Sequence, residues 1–374
     1  MWFGVPKEGG EGPQADEKRV GLTPAGIRDL VEEGGQVVIE SGAGAAAGFS
    51  DDEYRGVGAH VVYSHEEVFG RAEMVVKIGR PSMHEMELMQ PECAILAFWH
   101  LAAATNAYLA QIASHDLTAI GCEIIQEDDG SLPVLKISSE ITGKMAPQIA
   151  GRLLESGSGG AGILLGGAPG IPPADVVIIG GGNLGFHASR AFLGLGCSVY
   201  VLDIDHSKLE AVDRHLSGQV ITAHATHENI EKFTAFADVL VGAVLVTGEV
   251  APIVVTRSMV QKMRSGSVIL DFSFDQGGCV ETTRLQGPAG GVFVRDGILH
   301  FAIPNCPSLV ARTASQALTY SLLPFLETIQ RRGLRETLLL RSDLRRGCYG
   351  YRGRLVSSHI TKEPADITRL LVEG

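Results

Sequence analysis

The sequence lacks the cysteine spacing of a zinc site, the basic surplus of a nucleic-acid-binding protein and the long apolar run of a membrane protein. Its six cysteines are dispersed without a CxxC pair, which indicates free thiols in a reducing compartment and no metal site. Lys and Arg number 31 against 43 Asp and Glu, a net charge of −12, whereas nucleic-acid binders need basic stripes. No apolar run approaches the roughly 20 residues of a spanning helix. The first residues show no secretory pattern, so we expect a cytoplasmic protein that binds neither nucleic acid nor membrane.

Glycine, by contrast, is abundant, at 47 of the 374 residues. This is nearly twice the usual share and indicates turns and close backbone approaches. The length predicts two domains. Short apolar runs such as Gln36–Glu40 and Val239–Gly242 alternate with helix-length segments, which is typical of parallel α/β sheets. A Gly/Pro-dense stretch at 156–175 separates two such series, and one long helix is predicted from Val310.

The strongest local pattern is a glycine motif between a predicted strand and a predicted helix. It reads IIGGGNLGFHASRAF at 178–192, and Gly180, Gly182 and Gly185 have GxGxxG spacing. In dinucleotide-binding proteins the first glycine allows a tight turn, the second lets a pyrophosphate approach the backbone, and the third lets the helix pack closely. The next predicted strand ends at Asp203, 18 residues after Gly185, close to the roughly 20 expected for the acidic residue that binds the ribose. The combination predicts a dinucleotide site.

The acidic residues after that strand favour NAD over NADP. Asp203 and Asp205 would repel a 2′-phosphate, and no Arg stands beside them. The alternative is that Asp203 only caps the following helix. Val244 and Leu245 follow a later strand, where they would contact the nicotinamide side of the cofactor, although for these two we favour core packing.

Ordered blocks along nearly the whole chain resemble the alanine dehydrogenase family, which is related to the transhydrogenase alpha subunit and, more distantly, to saccharopine dehydrogenase. The blocks include GVPKE at 4–8, KRVGLTPAGI at 18–27, VVKIGRP at 75–81, FWHLAA at 98–103 and LDFSFDQGGCVETTR at 270–284. The resemblance implies two Rossmann-like doubly wound parallel-sheet domains with an interdomain cleft. Residues 1–135 with 310–374 would form the catalytic domain, and residues 136–309 the NAD-binding domain. It also implies a homo-oligomer, commonly a hexamer.

The same resemblance assigns the chemistry to four residues. Arg19 would hold the substrate carboxylate, and Lys77 would bond the carboxylate and the developing carbonyl or imine. His100 and Asp275 would share the proton transfers, while the cofactor takes the hydride. The other implied substrate contacts are Ser138 and Asn305, and the other implied cofactor contacts are Ser139, Asn183, Leu184, Phe272 and Asp275.

Without the resemblance, these residues have simpler interpretations. Arg19 and Lys77 would be solvated surface charges. His100 would close a buried strand, and Asp275 would be a turn residue. However, Lys77 and His100 both follow predicted strands, and open α/β sheets bind ligands at the carboxyl ends of their strands.

Four positions depart from the family pattern. Arg80 stands where an acidic residue is usual, and Trp99 where tyrosine is common. Ser138 lies in a predicted loop at 137–140, where the family has a methionine over the substrate methyl, and Cys306 also replaces a methionine. We expect these changes to alter the substrate pocket, with Ser138 widening it and adding a hydrogen-bond donor.

The main functional hypothesis is therefore NAD-dependent oxidative deamination of an L-amino acid to a 2-oxo acid plus ammonium, and the reverse, with L-alanine and pyruvate as the simplest pair. Because four positions depart from the family pattern, a larger or polar amino acid is an alternative substrate. A secondary-amine dehydrogenase of the saccharopine or opine type is a further alternative. Less favoured are a transhydrogenase component and a non-catalytic NAD sensor.

Overall fold

The structure, a computed structural model, describes residues 1–9, 16–101, 104–284 and 291–373. These residues divide into two compact units, one of residues 1–138 with 307–374 and one of residues 139–306. Each unit is built on a mostly parallel sheet whose strands alternate with helices along the chain. The predicted α/β class with two doubly wound sheets is confirmed.

The elements are numbered in chain order over the described residues. The strands are β1 (Trp2–Val5), β2 (Gln36–Glu40), β3 (His60–Val62), β4 (Met74–Val76), β5 (Ala94–Ala97), β6 (Thr118–Gly121), β7 (Asp175–Ile179), β8 (Ser198–Asp203), β9 (Ile221–His224), β10 (Val239–Gly242), β11 (Val268–Asp271), β12 (Gly291–Arg295), β13 (Ile298–Ala302), β14 (Cys348–Tyr351) and β15 (Arg354–Leu355). The helices are α1 (Pro24–Glu32), α2 (Asp51–Gly56), α3 (His65–Arg71), α4 (Met83–Glu87), α5 (Asn106–Ser114), α6 (Pro133–Leu154), α7 (Asn183–Gly194), α8 (His206–His215), α9 (His227–Phe236), α10 (Arg257–Val260), α11 (Glu281–Arg284), α12 (Ala311–Arg332), α13 (Leu334–Leu340), α14 (Ser342–Arg346) and α15 (Ile367–Glu373).

The sheet of the first unit has the order β3-β2-β1-β4-β5-β6-β14-β15. The first six strands are parallel, and β14 and β15 extend the edge in antiparallel fashion. The order reverses at β1, which pairs with both β2 and β4. In an open α/β sheet, the crevice beyond the carboxyl ends of the strands at such a reversal is where ligands bind.

The sheet of the second unit repeats this plan, with the order β12-β13-β11-β10-β7-β8-β9. All pairs are parallel except the terminal hairpin of β12 and β13, which turns at Asp296 and Gly297. The reversal lies at β7, between β8 and β10. Strands β7, β10 and β11 are almost wholly buried, as expected for parallel strands covered on both faces.

Local sequence explains several helix starts that matter for the site. Thr23 precedes α1, whose first residue is Pro24, and the fixed φ of proline suits a first helical turn. Ser82 precedes α4 and forms a reciprocal capping box with Glu85, which satisfies two N–H donors at the helix start. The capping box also fixes the position of the Glu85 carboxylate.

One sequence expectation about the chain between the sheets is wrong. Residues 137–140 do not form a loop, because they lie inside α6, a continuous helix of 22 residues that begins at Pro133 and accommodates Pro147. The Gly/Pro-dense stretch at 156–175 lies within the second unit and leads into its first strand. No helix in the described ranges is both long and apolar enough to cross a membrane.

Candidate active site

The glycine motif forms the turn between β7 and α7 in the second unit. Gly180 has φ +110°, and a Cβ there would lie 2.3 Å from the Ala243 carbonyl oxygen. A Cβ on Gly185 would lie only 1.8 Å from the carbonyl oxygen of Gly180, whereas one on Gly182 would meet nothing within 4 Å. Two glycines are thus required by the fold, and Gly182 leaves space open before Asn183, the first residue of α7. Such a space at a helix N-terminus suits a pyrophosphate.

Asp203, the last residue of β8, points its carboxylate at this turn. Oδ2 accepts a hydrogen bond from the Gly181 N–H at 2.7 Å, and Oδ1 accepts one from the Asp205 N–H at 2.8 Å. The helix cap is instead Asp205, whose side chain accepts from the Ser207 N–H at the start of α8. The alternative in which Asp203 serves as the cap is therefore wrong, and its position fits the acceptor of a ribose hydroxyl.

The remaining candidate cofactor residues of β10 and β11 follow the carboxyl ends of these strands. The Val244 N–H donates to Ser273 Oγ at 3.0 Å, and Leu245 is 46% exposed, so core packing does not account for Leu245. The Phe272 N–H donates to the Gly242 carbonyl at 3.0 Å. Because β7, β10 and β11 are neighbours in the parallel sheet, these residues lie at the sheet edge that carries the glycine turn. Leu184 follows Asn183 in α7, and Ser139 lies on α6.

Asp275 lies in the turn that follows β11. Its Oδ1 accepts a hydrogen bond from the Asn305 N–H at 2.9 Å, and Asn305 has φ +54°. The turn is organised by Asp271, a buried carboxylate whose oxygens accept from the N–H groups of Ser273, Cys279 and Val280 and from the Thr283 hydroxyl. Burial raises the pKa of Asp271. No sequence pattern predicts this supporting role for Asp271.

Lys77 lies at the reversal point of the first unit, directly after β4. The side chain is buried, with 2% exposure. Its Nζ donates to Glu85 Oε1 at 2.7 Å and lies 4.0 Å from Glu8 Oε2. Glu8 follows β1 and accepts hydrogen bonds from the N–H groups of Ile78 and Gly79. A lysine held in this way is not a solvated surface charge, so that interpretation is wrong.

The two carboxyl groups around Lys77 differ in acidity. Burial raises the pKa of Glu8 to about 7, although Lys77 acts in the opposite direction. Burial also acts to raise the pKa of Glu85, but hydrogen bonds and charge from His65 and Lys77 outweigh it and bring the pKa to about 2. Glu85 therefore stays ionised at neutral pH and provides a constant counter-charge for Lys77.

Arg19 is also buried, at 3% exposure, rather than solvated. Its Nε and Nη2 donate to the two carboxylate oxygens of Glu17 at 2.8 and 2.7 Å, a bidentate pair of the strong kind. Burial acts to raise the pKa of Glu17, but the charge of Arg19 and the hydrogen bonds from Arg19 and Ser308 together outweigh it, so the pKa falls below its usual value. The guanidinium carbon lies 6.0 Å from the centre of the Phe98 ring.

His100 follows β5, the strand next to β4. Its ring stacks on Phe98 with 6.0 Å between ring centres, so Arg19 and His100 contact the same aromatic ring. The backbone of His100 has φ +46°, a conformation that non-glycine residues rarely adopt. The first unit thus brings Arg19 and His100 together around Phe98, with Lys77 at the end of the neighbouring strand.

Of the four departures from the family pattern, Trp99 does not have the expected role. Trp99 is fully buried, and its indole N–H donates to the Ile120 carbonyl at 2.9 Å, so it belongs to the core and does not line a substrate pocket. Cys306 is buried, at 4% exposure. Arg80 donates to the carbonyl groups of Trp99 and His100. Ser138 lies on α6.

Several residues around the site were not identified from sequence. They are Glu8, Glu85 and Glu123, which accept hydrogen bonds from Ile78, Lys77 and His100. Glu8 belongs to the GVPKE block and lies three residues after β1 ends at Val5. Nothing in the local spacing connects Glu123 with His100, since the contact depends on β6 lying beside β5.

Two doubly wound domains, one with a dinucleotide-type glycine turn, define a protein of the Rossmann class. The models named "Alanine dehydrogenase/PNT, N-terminal domain" and "Alanine dehydrogenase/PNT, C-terminal domain" match residues 4–142 and 146–358. The chain is 37% identical to an alanine dehydrogenase of Methanococcus maripaludis, over 97% of this chain and 96% of the relative. It is 38% identical to one from Halomonas elongata, over 90% of each chain. The chain belongs to the alanine dehydrogenase/PNT family.

Solved structures agree with this assignment. A structure of an L-alanine dehydrogenase is 40% identical and superposes with a TM-score of 0.88, covering 96% of this chain and 98% of the other. A transhydrogenase from Sinorhizobium meliloti shares the fold, with a TM-score of 0.78 at 23% identity over 96% of this chain and 99% of the other.

Proposed function

We propose that the protein is an NAD-dependent alanine dehydrogenase, which converts L-alanine, NAD and water into pyruvate, ammonium, NADH and a proton, and catalyses the reverse reaction. The observation that carries the proposal is that the two Rossmann-type domains differ at the place where the strand order of each sheet reverses. One has an open glycine turn with Asp203 beside it. The other has the buried Lys77 with Glu8 in place of a glycine turn.

The residues of the second domain fit NAD. The open space at Gly182 admits a pyrophosphate against the backbone, whereas side chains at Gly180 or Gly185 would clash with the protein itself. Asp203 presents a carboxylate for the ribose hydroxyls and disfavours a 2′-phosphate. NAD held by these residues would supply the acceptor for the hydride that leaves the substrate Cα.

The chain's own residues then bind the substrate and move protons. Arg19 holds the substrate carboxylate, and Lys77 donates a hydrogen bond to that carboxylate and to the oxygen that develops on the carbonyl carbon. His100 takes a proton from the water that adds to the imine and returns one to the departing ammonia. Asp275 holds the attacking water and shares this proton transfer.

The positions of the departures favour alanine over a larger or polar substrate. Trp99 lies in the core, and Arg80 bonds the backbone, so neither adds a polar side chain to a substrate pocket. Ser138 is the departure that retains a proposed role beside the substrate. We also infer a homo-oligomer, with the hexamer of the family as the expectation, and a cytoplasmic location.

The test is turnover of a panel of L-amino acids with NAD, and of 2-oxo acids with NADH, with and without ammonium. We expect alanine and ammonium-dependent pyruvate turnover to dominate. Reductive turnover that requires an amino acid in place of ammonium would instead support the secondary-amine alternative, and silence throughout would contradict the proposal. His100→Ala and Asp275→Asn should each lower kcat by about a hundredfold or more while leaving NAD affinity within about threefold.

A further inference from the structure

The peptide carbonyls of Trp99 and His100 are held by a single guanidinium. Arg80 donates from Nε to the Trp99 carbonyl at 2.5 Å and from Nη2 to the His100 carbonyl at 2.6 Å. The two donors belong to the rigid planar fork of arginine, so they fix the relative orientation of the two carbonyl groups. A lysine at this position has one ammonium on a flexible stem and cannot impose the same geometry.

The N–H groups of the same two residues are held by a carboxylate. Glu123 accepts from the His100 N–H at 2.6 Å and from the Trp99 N–H at 3.2 Å. The Tyr349 hydroxyl donates to Glu123 at 2.9 Å, and both Glu123 and Tyr349 are buried, with 3% and 1% exposure. Two charged side chains therefore satisfy all four backbone polar groups of this dipeptide.

This arrangement surrounds a strained residue. His100 has φ +46°, and the left-handed region is unfavourable for a residue with a Cβ. Other positive-φ residues such as Asp296 and Arg352 precede a glycine in hairpin turns, where turn geometry explains the conformation. His100 is not in a hairpin. Strain of this kind persists only where the surrounding structure over-determines it, and it is concentrated at functional sites.

Arg80 is itself fixed in place. Its guanidinium carbon lies 5.4 Å from the centre of the Tyr108 ring, and the Tyr108 hydroxyl donates to the Pro81 carbonyl at 2.5 Å. The aromatic face thus orients the guanidinium, while Pro81 ties Tyr108 to the segment that carries Arg80.

We propose that Arg80 is a positioning residue for His100. It holds the backbone of residue 100 in the left-handed conformation and so aims the imidazole at the substrate. The inference rests on the proposed function, because it assigns the imidazole to proton transfer. Arg80 acts through His100 and does not contact the substrate.

The kinetic test is a double-mutant cycle. Arg80→Ala and Arg80→Lys should each lower kcat for alanine by about tenfold to a hundredfold, since a misplaced catalytic group costs about that much, with KM for alanine changed by less than about threefold. In the His100→Ala background, Arg80→Ala should change the residual kcat by less than about twofold, because residues that act as a unit are not additive. Arg71→Ala, which removes an exposed arginine paired with Glu67 in the same unit, is the control and should leave kcat unchanged.

Two further readouts separate positioning from general structural damage. Guanidinium chloride at low millimolar concentration should restore part of the kcat of Arg80→Ala and none of that of Arg80→Lys. A crystal structure of Arg80→Ala should show residue 100 outside the left-handed region. The proposal would be overturned if Arg80→Ala lowered kcat by the same factor in the wild-type protein and in the His100→Ala variant. It would also be overturned if Arg80→Ala changed neither the φ of residue 100 nor kcat.

The crystallographic readout also distinguishes the two proposals. If the wild-type protein turned over no amino acid, the proposed function would fail. A left-handed residue 100 that relaxes in Arg80→Ala would then still support the positioning role, whereas one that stays left-handed would refute it.

Discussion

At the scale of single residues, Asp203 offers the sharpest test of cofactor choice. Its carboxylate bonds the Gly181 N–H at 2.7 Å, so it is fixed beside the glycine turn. Asp203→Asn keeps an acceptor oxygen but removes the charge. Because a hydrogen bond to a charged group contributes about 1.5–3 kcal/mol, we expect KM for NAD to rise by about tenfold to a hundredfold, and the preference for NAD over NADP to fall.

The matched control is two residues away. Asp205→Asn makes the same chemical change at the N-cap of α8, and asparagine is as good a cap as aspartate. Steady-state kinetics with both cofactors should show a much smaller change of preference in this variant than in Asp203→Asn, because the Asp205 carboxylate is engaged by the Ser207 N–H at the helix start. An equal change of preference in both variants would mean that general charge, and not the position of Asp203, sets the selectivity.

His65 supplies a residue-scale prediction about pH. Its Nδ1 and Nε2 lie 2.7 Å from Glu40 and 3.2 Å from Glu85, and these hydrogen bonds raise its pKa to about 9 from the ordinary 6.5. A raised pKa means that the folded protein binds the proton more tightly than the unfolded chain does. The stabilisation is therefore complete below pH 6.5, declines as pH rises, and is lost above about pH 9.

The corresponding measurement is urea unfolding of His65→Gln at pH 6 and pH 10. The side chain is 31% exposed, so after allowance for solvent screening we expect a loss of about 1–2 kcal/mol at pH 6 and little difference at pH 10. His84→Gln is the control, because His84 is 72% exposed and lies 3.9 Å from its nearest carboxylate. An equal loss at both pH values for His65→Gln would show that packing, not charge, is responsible.

Single residues also show which parts of the site can be predicted from the amino-acid sequence. The glycine motif and Asp203 are linked by spacing along the chain, and the structure places them together. Glu123 and Glu85 could not be identified, because burial and partners from other strands give them their role. Trp99 was misjudged for a similar reason, since the residues after a strand do not reveal whether a side chain turns towards the core or towards a ligand.

At the scale of elements, different glycines in the turn between β7 and α7 serve folding and cofactor binding. Gly182→Ala adds a methyl group to open space, so the free energy of unfolding should change by no more than about 1 kcal/mol. KM for NAD should rise at least about tenfold, because the methyl occupies the place of a pyrophosphate. Gly185→Ala forces a Cβ to 1.8 Å from the Gly180 carbonyl oxygen and should destabilise by about 2–4 kcal/mol. If both variants behaved alike in urea unfolding, the distinct roles of these glycines would be refuted.

Element boundaries were less predictable than element types. The alternation of apolar runs identifies β2 and β10 with their full extent. The full length of helix α6 could not be predicted, because its sequence contains Ser138, Gly143 and Pro147, which are weak helix formers. Tertiary packing compensates at Gly143, where a Cβ would lie 2.6 Å from the Leu184 carbonyl oxygen, so the small residue permits close approach to α7.

At the scale of the whole molecule, each unit has its own hydrophobic core. One core cluster of the first unit contains residues from β1 to α15, and one of the second unit contains residues from β7 to β13. Because the proposed NAD contacts belong almost entirely to residues 139–306, the cofactor should stabilise that unit directly. Ligand-linked stabilisation follows from mass action, so it measures binding without any turnover.

Differential scanning calorimetry with NAD at about a hundred times its Kd should add about 2.7 kcal/mol of stability and raise the Tm of residues 139–306 by roughly 5–10 °C. L-alanine alone should shift it by less than about 1 °C, because the proposed substrate residues Arg19, Lys77 and His100 belong to the other unit. The Gly182→Ala variant, which should fold normally, is the control and should lose at least about half of the NAD shift, because its affinity for NAD is expected to be at least about tenfold weaker. If the variant kept the full shift, NAD would bind somewhere other than the glycine turn, and the assignment of cofactor and substrate to separate units would have to be abandoned.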